Sequence, residues 1–253
     1  MIKKLDKVNN ISIIIPVYNE EGNIALLVEE IERSILKSIK YEIIIVDDGS
    51  TDNTPKRLKN LKIKNRNIII LRHRKNYGQS YSLRTGILYA NEDFIITLDG
   101  DGQNDPKDIN KLLNNFSVDK DFQLVIGNRK KRHDKLSKKL ASRFAFLIRK
   151  IILQDKTPDT GCAMKVFRKK DFILLPFFNH IHRFFPVLFR SYGGNVVSVP
   201  VNHRERLTGT SKYTNFQRAL VGIYDLIGVV WLSKRSYSPN FIKVKKIISN
   251  KER

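Results

Sequence analysis

The sequence predicts an α/β protein built on a mainly parallel sheet with helices on both faces. Three observations carry this expectation. Short β-branched runs alternate with stretches of helical apolar spacing through the first half of the chain. The runs are almost continuously apolar, as strands covered on both faces are. Acidic, turn-forming clusters follow the runs that end at Val17, Val46 and Leu98, and open parallel sheets bind ligands beyond the carboxyl ends of their strands. A length of 253 residues with 41% apolar content suits one large domain or a core domain with a short appendage.

Residues 11–17 read as a buried strand closed by Pro16. Residues 19–38 follow with Ile24, Leu27, Val28, Ile31 and Ile35 at helical spacing, and Asn19 is the expected N-cap. Residues 41–46 read as a second strand, 47–54 as turn chemistry and 55–61 as a helix. A third strand is expected over 67–71, a helix over 79–90 and a fourth strand over 94–98, ending at Asp99. Residues 106–116 read as a helix and 124–127 as a strand. The texture then changes: residues 129–150 hold ten Lys or Arg against one Asp, interleaved with Leu140, Phe144, Phe146, Leu147 and Ile148. This reads as a basic amphipathic helix preceded by a loop. A late strand over 196–201 and a helix over 215–232 complete the pattern. With no internal repeat or low-complexity linker, the expected division is a single domain over 1–214 and an appended amphipathic helix with a basic tail over 215–253.

The net charge of +22 attracts polyanions, and nucleic acid, anionic lipid and phosphorylated substrates all qualify. No stretch resembles a nucleic-acid-binding motif, and acidic strand ends would repel phosphate. The single cysteine, Cys162, excludes an intrachain disulfide and fits a reducing compartment. Residues 1–10 lack the apolar core of a signal peptide, and no apolar run is long enough to span a bilayer.

Asp99, Asp101 and Gln103 alternate at a strand end, so in extended chain they share a face. Hard oxygen ligands in this arrangement suit Mg²⁺ or Mn²⁺, which take one or two carboxylates and complete their shell with phosphate oxygens. The same residues also suit a solvated Asp-Gly turn. A calcium loop is excluded, because Asn104 and Asn110 stand where such a loop needs Gly and Glu. Tyr18 suits packing beside a base, and the Asp47–Asp48 pair suits accepting from a base or ribose. That pair equally suits a capped turn opening the next helix.

Pro-Val-Tyr-Asn-Glu from Pro16, Val-Asp-Asp-Gly-Ser-Thr-Asp from Val46 and Asp-Gly-Asp-Gly-Gln from Asp99 occur in this order. Together they resemble the family 2 inverting glycosyltransferases of the GT-A, Rossmann-like fold. The resemblance implies that Pro16, Tyr18, Glu20, Asp47, Asp48 and Gly100 contact a nucleotide-sugar. It also implies that Asp99, Asp101 and Gln103 hold a divalent metal on its diphosphate, with Asp101 part of the catalytic group. Two later stretches are similar to the polyprenyl-phosphate group that includes dolichol-phosphate mannose synthases: Asp159-Thr160-Gly161-Cys162-Ala163-Met164-Lys165 and Arg206-Leu207-Thr208-Gly209-Thr210-Ser211-Lys212. By that resemblance Arg206 contacts the diphosphate, and Arg129, Lys138, Ser142 and Lys212 bind the acceptor phosphate. Lys138 stands where the group has Arg. Asp159 is the candidate catalytic or acceptor-orienting carboxylate.

Arg forks suit a lipid phosphate, and a phosphate nucleophile is already ionised at pH 7, which accounts for the lack of an obvious base. His180, His182 and His203 show no metal-ligand spacing and read as surface or packing residues, and Cys162 as packing. The apolar stretch 219–232, with Trp231 and then Lys234 and Arg235, suits a helix lying in a membrane interface or packed on the core. The expected partners are therefore a nucleotide-sugar, a polyprenyl phosphate and the cytoplasmic membrane surface, with a flippase or membrane-bound transferase downstream and no nucleic acid. A glycan acceptor is the alternative.

Overall fold

The computed structural model describes residues 8–129, 150–205 and 215–235, the last stretch with side chains from residue 222 onward. In chain order the elements are β1 (Asn10–Val17), α1 (Ile24–Ser34), β2 (Lys40–Asp47), α2 (Thr54–Lys64), β3 (Ile68–Arg72), α3 (Gln79–Tyr89) and β4 (Phe94–Thr97). A 3₁₀ turn (Pro106–Asp108) then leads into α4 (Ile109–Asn114), followed by β5 (Leu124–Arg129), β6 (Lys165–Arg168), α5 (Lys169–Leu174), α6 (Phe185–Ser191), β7 (Val196–Val201) and α7 (Asn215–Arg235). The seven strands form one sheet in the order β3-β2-β1-β4-β6-β5-β7. All neighbouring pairs are parallel except those made by β6, which runs antiparallel to both β4 and β5.

The pleat explains why the central strands are apolar at nearly every position. Ile13 and Ile15 of β1 with Ile43 and Ile45 of β2 face the layer of α1, α2 and α4, through Leu27, Ile31, Leu58 and Leu112. Ile14, Ile44 and Val46 face the other layer, where Leu83 and Ile87 of α3 meet a phenylalanine cluster from α5 and α6. Helix α3 lies unusually close to the sheet. A Cβ on Gly86 would sit 2.5 Å from Ile14 Cγ2 and 3.1 Å from Val46 Cγ2. That approach fixes the height of the α3 N-terminus above the strand ends.

The structure corrects the reading of α1. The helix spans Ile24–Ser34, and Asn23 is its N-cap. Asn19 instead adopts a left-handed conformation with φ 55, which asparagine tolerates better than most residues. The amides of Asn23 and Ile24 both donate to the Glu20 carbonyl, so a turn separates the strand from the helix. Strand β6 was not foreseen. It has four residues, two apolar between two basic, and its Lys165 is buried despite its charge. The basic stretch over 129–150, apart from its two end residues, lies outside the described residues, as do Lys138, Ser142, Arg206, Lys212 and the tail from residue 236.

Candidate active site

The ends of β1, β2 and β4 converge on one edge of the sheet, and hydrogen bonds between their loops lock the arrangement. Beyond β1, the Asn19 amide donates to Ser50 Oγ (2.9 Å), and Asn19 Oδ1 accepts from the Thr51 amide (2.8 Å). The Glu20 amide donates to Thr54 Oγ1 (2.9 Å). The Glu20 carboxylate accepts from Asn23 Nδ2 (2.7 Å). Gly100 closes the third loop onto the first: a Cβ there would lie 2.6 Å from Val17 Cγ1 and 3.1 Å from the Pro16 carbonyl oxygen. Pro16, Tyr18, Glu20, Asp99, Asp101 and Gln103 are all partly exposed on this edge, so their side chains are within reach of a ligand.

The two aspartates after β2 are fastened differently. Asp47 Oδ1 accepts from the Ser50 amide (2.9 Å), closing the turn. Its Oδ2 lies 3.1 Å from Arg72 Nε, although out of hydrogen-bond alignment. Asp48 is saturated by one loop. Its Oδ1 accepts from the Tyr77 amide (2.9 Å) and lies 2.7 Å from His73 Nδ1, and its Oδ2 accepts from the Gly78 amide (2.7 Å). His73 Nε2 in turn lies 3.0 Å from Thr85 Oγ1 on α3. Asp48 therefore positions the entry to α3, where the next two residues reach the site. Gln79 Nε2 donates to Asp99 Oδ1 (2.7 Å), and Ser80 Oγ lies 2.7 Å from His182 Nδ1. An Asp48→Ala substitution strands two loop amides, and we expect a loss of about 2–4 kcal/mol of stability. Thermal unfolding together with transfer kinetics tests this. Unchanged stability would mean that the loop does not depend on Asp48.

Asp99 and Asp101 crowd two carboxylates together. Burial, and then the charge of Asp101, push the Asp99 carboxyl up to about 7, while Lys165 and Arg129 act the other way. A carboxylate pair held this uncomfortably fits a divalent cation, which would relieve both the burial and the repulsion. Among the described residues no set of three or more His, Cys, Asp or Glu forms a metal cage. Two aspartates plus phosphate oxygens is the habit of magnesium. Asp101 Oδ1 accepts from the Gln103 amide (3.1 Å). The Gln103 side chain spends its Nε2 on the Arg204 carbonyl (3.3 Å), and the Arg204 amide donates back to the Gln103 carbonyl (2.9 Å). Arg204 also pairs with Asp105 (2.7 Å). Gln103 thereby ties the Asp99–Gln103 loop to the chain that runs on toward Arg206.

Arg129 and Asp159, expected as an acceptor contact and a catalytic or acceptor-orienting carboxylate, face each other. Arg129 Nε donates to Asp159 Oδ2 (2.6 Å) and Nη2 to Oδ1 (2.8 Å). Asp159 is 4% exposed, and this partner holds the guanidinium firmly protonated against the opposing effect of burial. Lys165 lies close by, donating to the Cys162 carbonyl. Burial pulls the Lys165 pKa down, opposed by Cys162, Asp99 and Asp159. Cys162 is buried, and that burial raises its pKa. It packs over Gly127, where a Cβ would lie 2.7 Å from its sulfur, as expected of a packing residue.

Behind Asp99 a cavity of about 170 Å³ is lined by Gln79, Leu83, Lys165, His182, Arg183 and Phe185, among others. Burial drives the His182 pKa well below its usual value, with Lys165 and Arg183 adding to the effect, so the imidazole is neutral at pH 7. His182, expected on the surface or in packing, lines this cavity, and His73, Gln79, Ser80 and Lys165 join the site without a sequence pattern that assigns them a role. Lys165 stands at the end of the Asp159 stretch that carried the resemblance, which was its only visible signal. The others reach the site through tertiary contacts alone.

Comparison with known proteins gives the family and the fold. Residues 12–174 match the family described as glycosyl transferase family 2. The chain is 31% identical to an undecaprenyl-phosphate 4-deoxy-4-formamido-L-arabinose transferase of Proteus mirabilis, over 88% of this chain and 68% of that protein. It is 33% identical to the protein of the same description from Pectobacterium atrosepticum, with the same coverage. Among solved structures it shares the fold of the glucosyl-3-phosphoglycerate synthase of Mycobacterium tuberculosis in complex with Mg²⁺ and uridine diphosphate. The TM-score is 0.66 at 16% identity, over 89% of this chain and 79% of that one.

Proposed function

This chain belongs to glycosyl transferase family 2 and is a glycosyltransferase, and on that premise we propose that it moves a sugar from a UDP- or GDP-sugar to a polyprenyl phosphate with inversion at the anomeric carbon. The observation that carries the proposal is the crowded Asp99–Asp101 pair at the junction of three strand ends, next to the Arg129–Asp159 pair. Asp99 and Asp101 would hold Mg²⁺ or Mn²⁺, which neutralises charge on the leaving diphosphate. Pro16, Tyr18 and Glu20 border the nucleotide, and Asp47, Asp48 and Gly100 shape the loops that receive it. The acceptor phosphate is its own nucleophile. It needs an orienting cation rather than a base, and Arg129, itself oriented by Asp159, supplies one. Lys138, Ser142, Lys212 and Arg206 fall outside the described residues and keep the roles that the resemblance implies.

The lipid acceptor calls for a membrane surface, and α7 has the character of a docking helix. Val229 and Asp225 turn inward, Asp225 lying 2.8 Å from His180 Nδ1. Ile223, Tyr224, Ile227 and Trp231 turn outward and are 55–81% exposed. Their spacing makes one apolar face, and Lys234 and Arg235 follow at headgroup depth. No helix among the described residues is long and apolar enough to cross a membrane. From the outward apolar face of α7 and the cations that follow it, we place the protein peripherally on the cytoplasmic face, where a flippase or a membrane-bound transferase would take the lipid-linked sugar onward.

The test is transfer of radiolabelled sugar from a panel of UDP- and GDP-sugars to polyprenyl phosphate in detergent, with Mn²⁺ or EDTA, alongside flotation with anionic vesicles. A metal-dependent labelled lipid and co-flotation are expected. Transfer to lipid-free glycans instead would overturn the acceptor assignment.

A further inference from the structure

Residues 178–184 form a short turn that stands between α7 and the N-terminus of α3. Val229, with Leu226 and Leu232 beside it, packs α7 onto the phenylalanine side of the core. Such contacts have no direction, and by themselves they do not fix how far a helix slides or rolls. Asp225 adds a directional one: its Oδ2 lies 2.8 Å from His180 Nδ1, with the imidazole as donor. His180 holds a left-handed backbone, φ 66, which histidine tolerates better than most residues but which its surroundings must maintain. Its amide donates to Asn179 Oδ1 (2.9 Å), and its carbonyl accepts from the Arg183 amide (3.0 Å). The Phe184 amide donates to the Ile181 carbonyl (2.8 Å), and the Ile181 side chain is buried. The turn is therefore a small rigid body, pinned at its centre.

The other side of this turn meets α3. The His182 ring stands edge-on to the His180 ring with 6.4 Å between their centres, and its Nδ1 lies 2.7 Å from Ser80 Oγ. Ser80 is buried in the first turn of α3, and its neighbour Gln79 donates to Asp99 Oδ1 (2.7 Å). Just before them, a Cβ on Gly78 would lie 4.0 Å from Asn179 Oδ1, so the turn also abuts the entry to α3. Close-packed parts move together, so a shift of α7 at Asp225 reaches Gln79 through His180, His182 and Ser80. We propose that Asp225 is a positioning residue for Asp99: through His180 it fixes the turn that presents His182 to Ser80, and so the Gln79 amide to the Asp99 carboxylate, which couples the seating of α7 to the capture of metal and diphosphate. This rests on the reading of Asp99 as a metal ligand and on no particular sugar or lipid. The coupling is reciprocal, so filling the site at Asp99 is felt at α7.

The test is calorimetric titration of the full chain with Mn²⁺ in the presence of UDP or GDP, whichever the wild type binds, for wild type, Asp225→Leu and Asp225→Asn. Unfolding temperatures are measured first. Asp225→Leu removes the acceptor of the His180 bond, whereas Asp225→Asn keeps an oxygen for it. Asp225→Leu should weaken Mn²⁺ at least about threefold, within the range reached by residues that touch neither ligand, and Asp225→Asn should recover most of that loss. Affinity for the nucleotide without metal should not change. Trp231 on α7 is the chain's one tryptophan, so its fluorescence reports on that helix. Mg²⁺ added with the nucleotide should shift it in wild type and not in Asp225→Leu, which a merely structural role for Asp225 would not produce. If Asp225→Leu does not fold, His180→Asn takes its place, since asparagine accepts the left-handed backbone and is too short for the bond. Unchanged Mn²⁺ affinity in the folded variant, or a Trp231 response that survives it, overturns the coupling. A wild type with no metal-dependent nucleotide binding would instead defeat the parent reading of Asp99.

Discussion

An Asp99→Asn enzyme should be more stable than wild type without metal, indifferent to Mn²⁺ and at least about a hundredfold slower in transfer. Burial and Asp101 raise the folded-state pKa of Asp99 to about 7, against an ordinary value of 3.8. The native state therefore binds the Asp99 proton more tightly than the unfolded chain does. Between these two values stability falls as pH rises, and above pH 7 the whole penalty of holding Asp99 ionised is present, on the order of a few kcal/mol. Asparagine removes that penalty and keeps an oxygen for the Gln79 amide. The cation removes the same penalty in wild type. Mn²⁺ should therefore raise the wild-type unfolding temperature more at pH 8 than at pH 6, where protons compete for the site. Asp101→Ala should lose the metal response and the transfer together, since it removes the second ligand. Scanning fluorimetry with and without Mn²⁺ at both pH values reads all of this. If Asp99→Asn kept a Mn²⁺-dependent shift, the metal would sit elsewhere.

Much of the fold was legible because it rests on local pattern. The β-branched runs of β1, β2 and β3 are apolar at successive positions, since both faces of β1 and β2 are buried and both faces of β3 are covered in part. Their acidic loops stand in the sequence where the strands end. The errors came where tertiary contacts overrode that pattern. Asn19 looked like a cap because helical apolar spacing followed it, yet its side chain is used to bind the β2 loop. Strand β6 is too short to show a period, and the charge on Lys165 argues against the burial it has. In the site, Asp99 and Asp101 were readable from their spacing. The clamp from Asp48 through His73, Gln79 and Ser80 to His182 joins residues far apart in the chain. No spacing rule reaches across such separations. Arg129 and Asp159 were each found through resemblance, but that they meet each other was not.

That meeting sets the expectation for Asp159. If its work is to hold the Arg129 guanidinium, Asp159→Ala leaves a buried cation unpaired and should lose about 3–5 kcal/mol of stability. Asp159→Asn keeps the shape and part of the hydrogen bonding. It should unfold at a temperature between the two and raise the KM for polyprenyl phosphate about tenfold or more, with a smaller change in kcat. The acid limb of its pH–rate profile should stay where it is in wild type, because no proton passes through this carboxylate. Replacing both partners with apolar residues, as Arg129→Met with Asp159→Leu, should recover most of the lost stability while transfer stays low. That result would separate positioning from folding within one set of proteins. An Asp159→Asn enzyme with wild-type stability and unchanged KM, but a collapsed kcat and no acid limb, would make Asp159 a general base. Arg129 would then be its partner rather than its purpose.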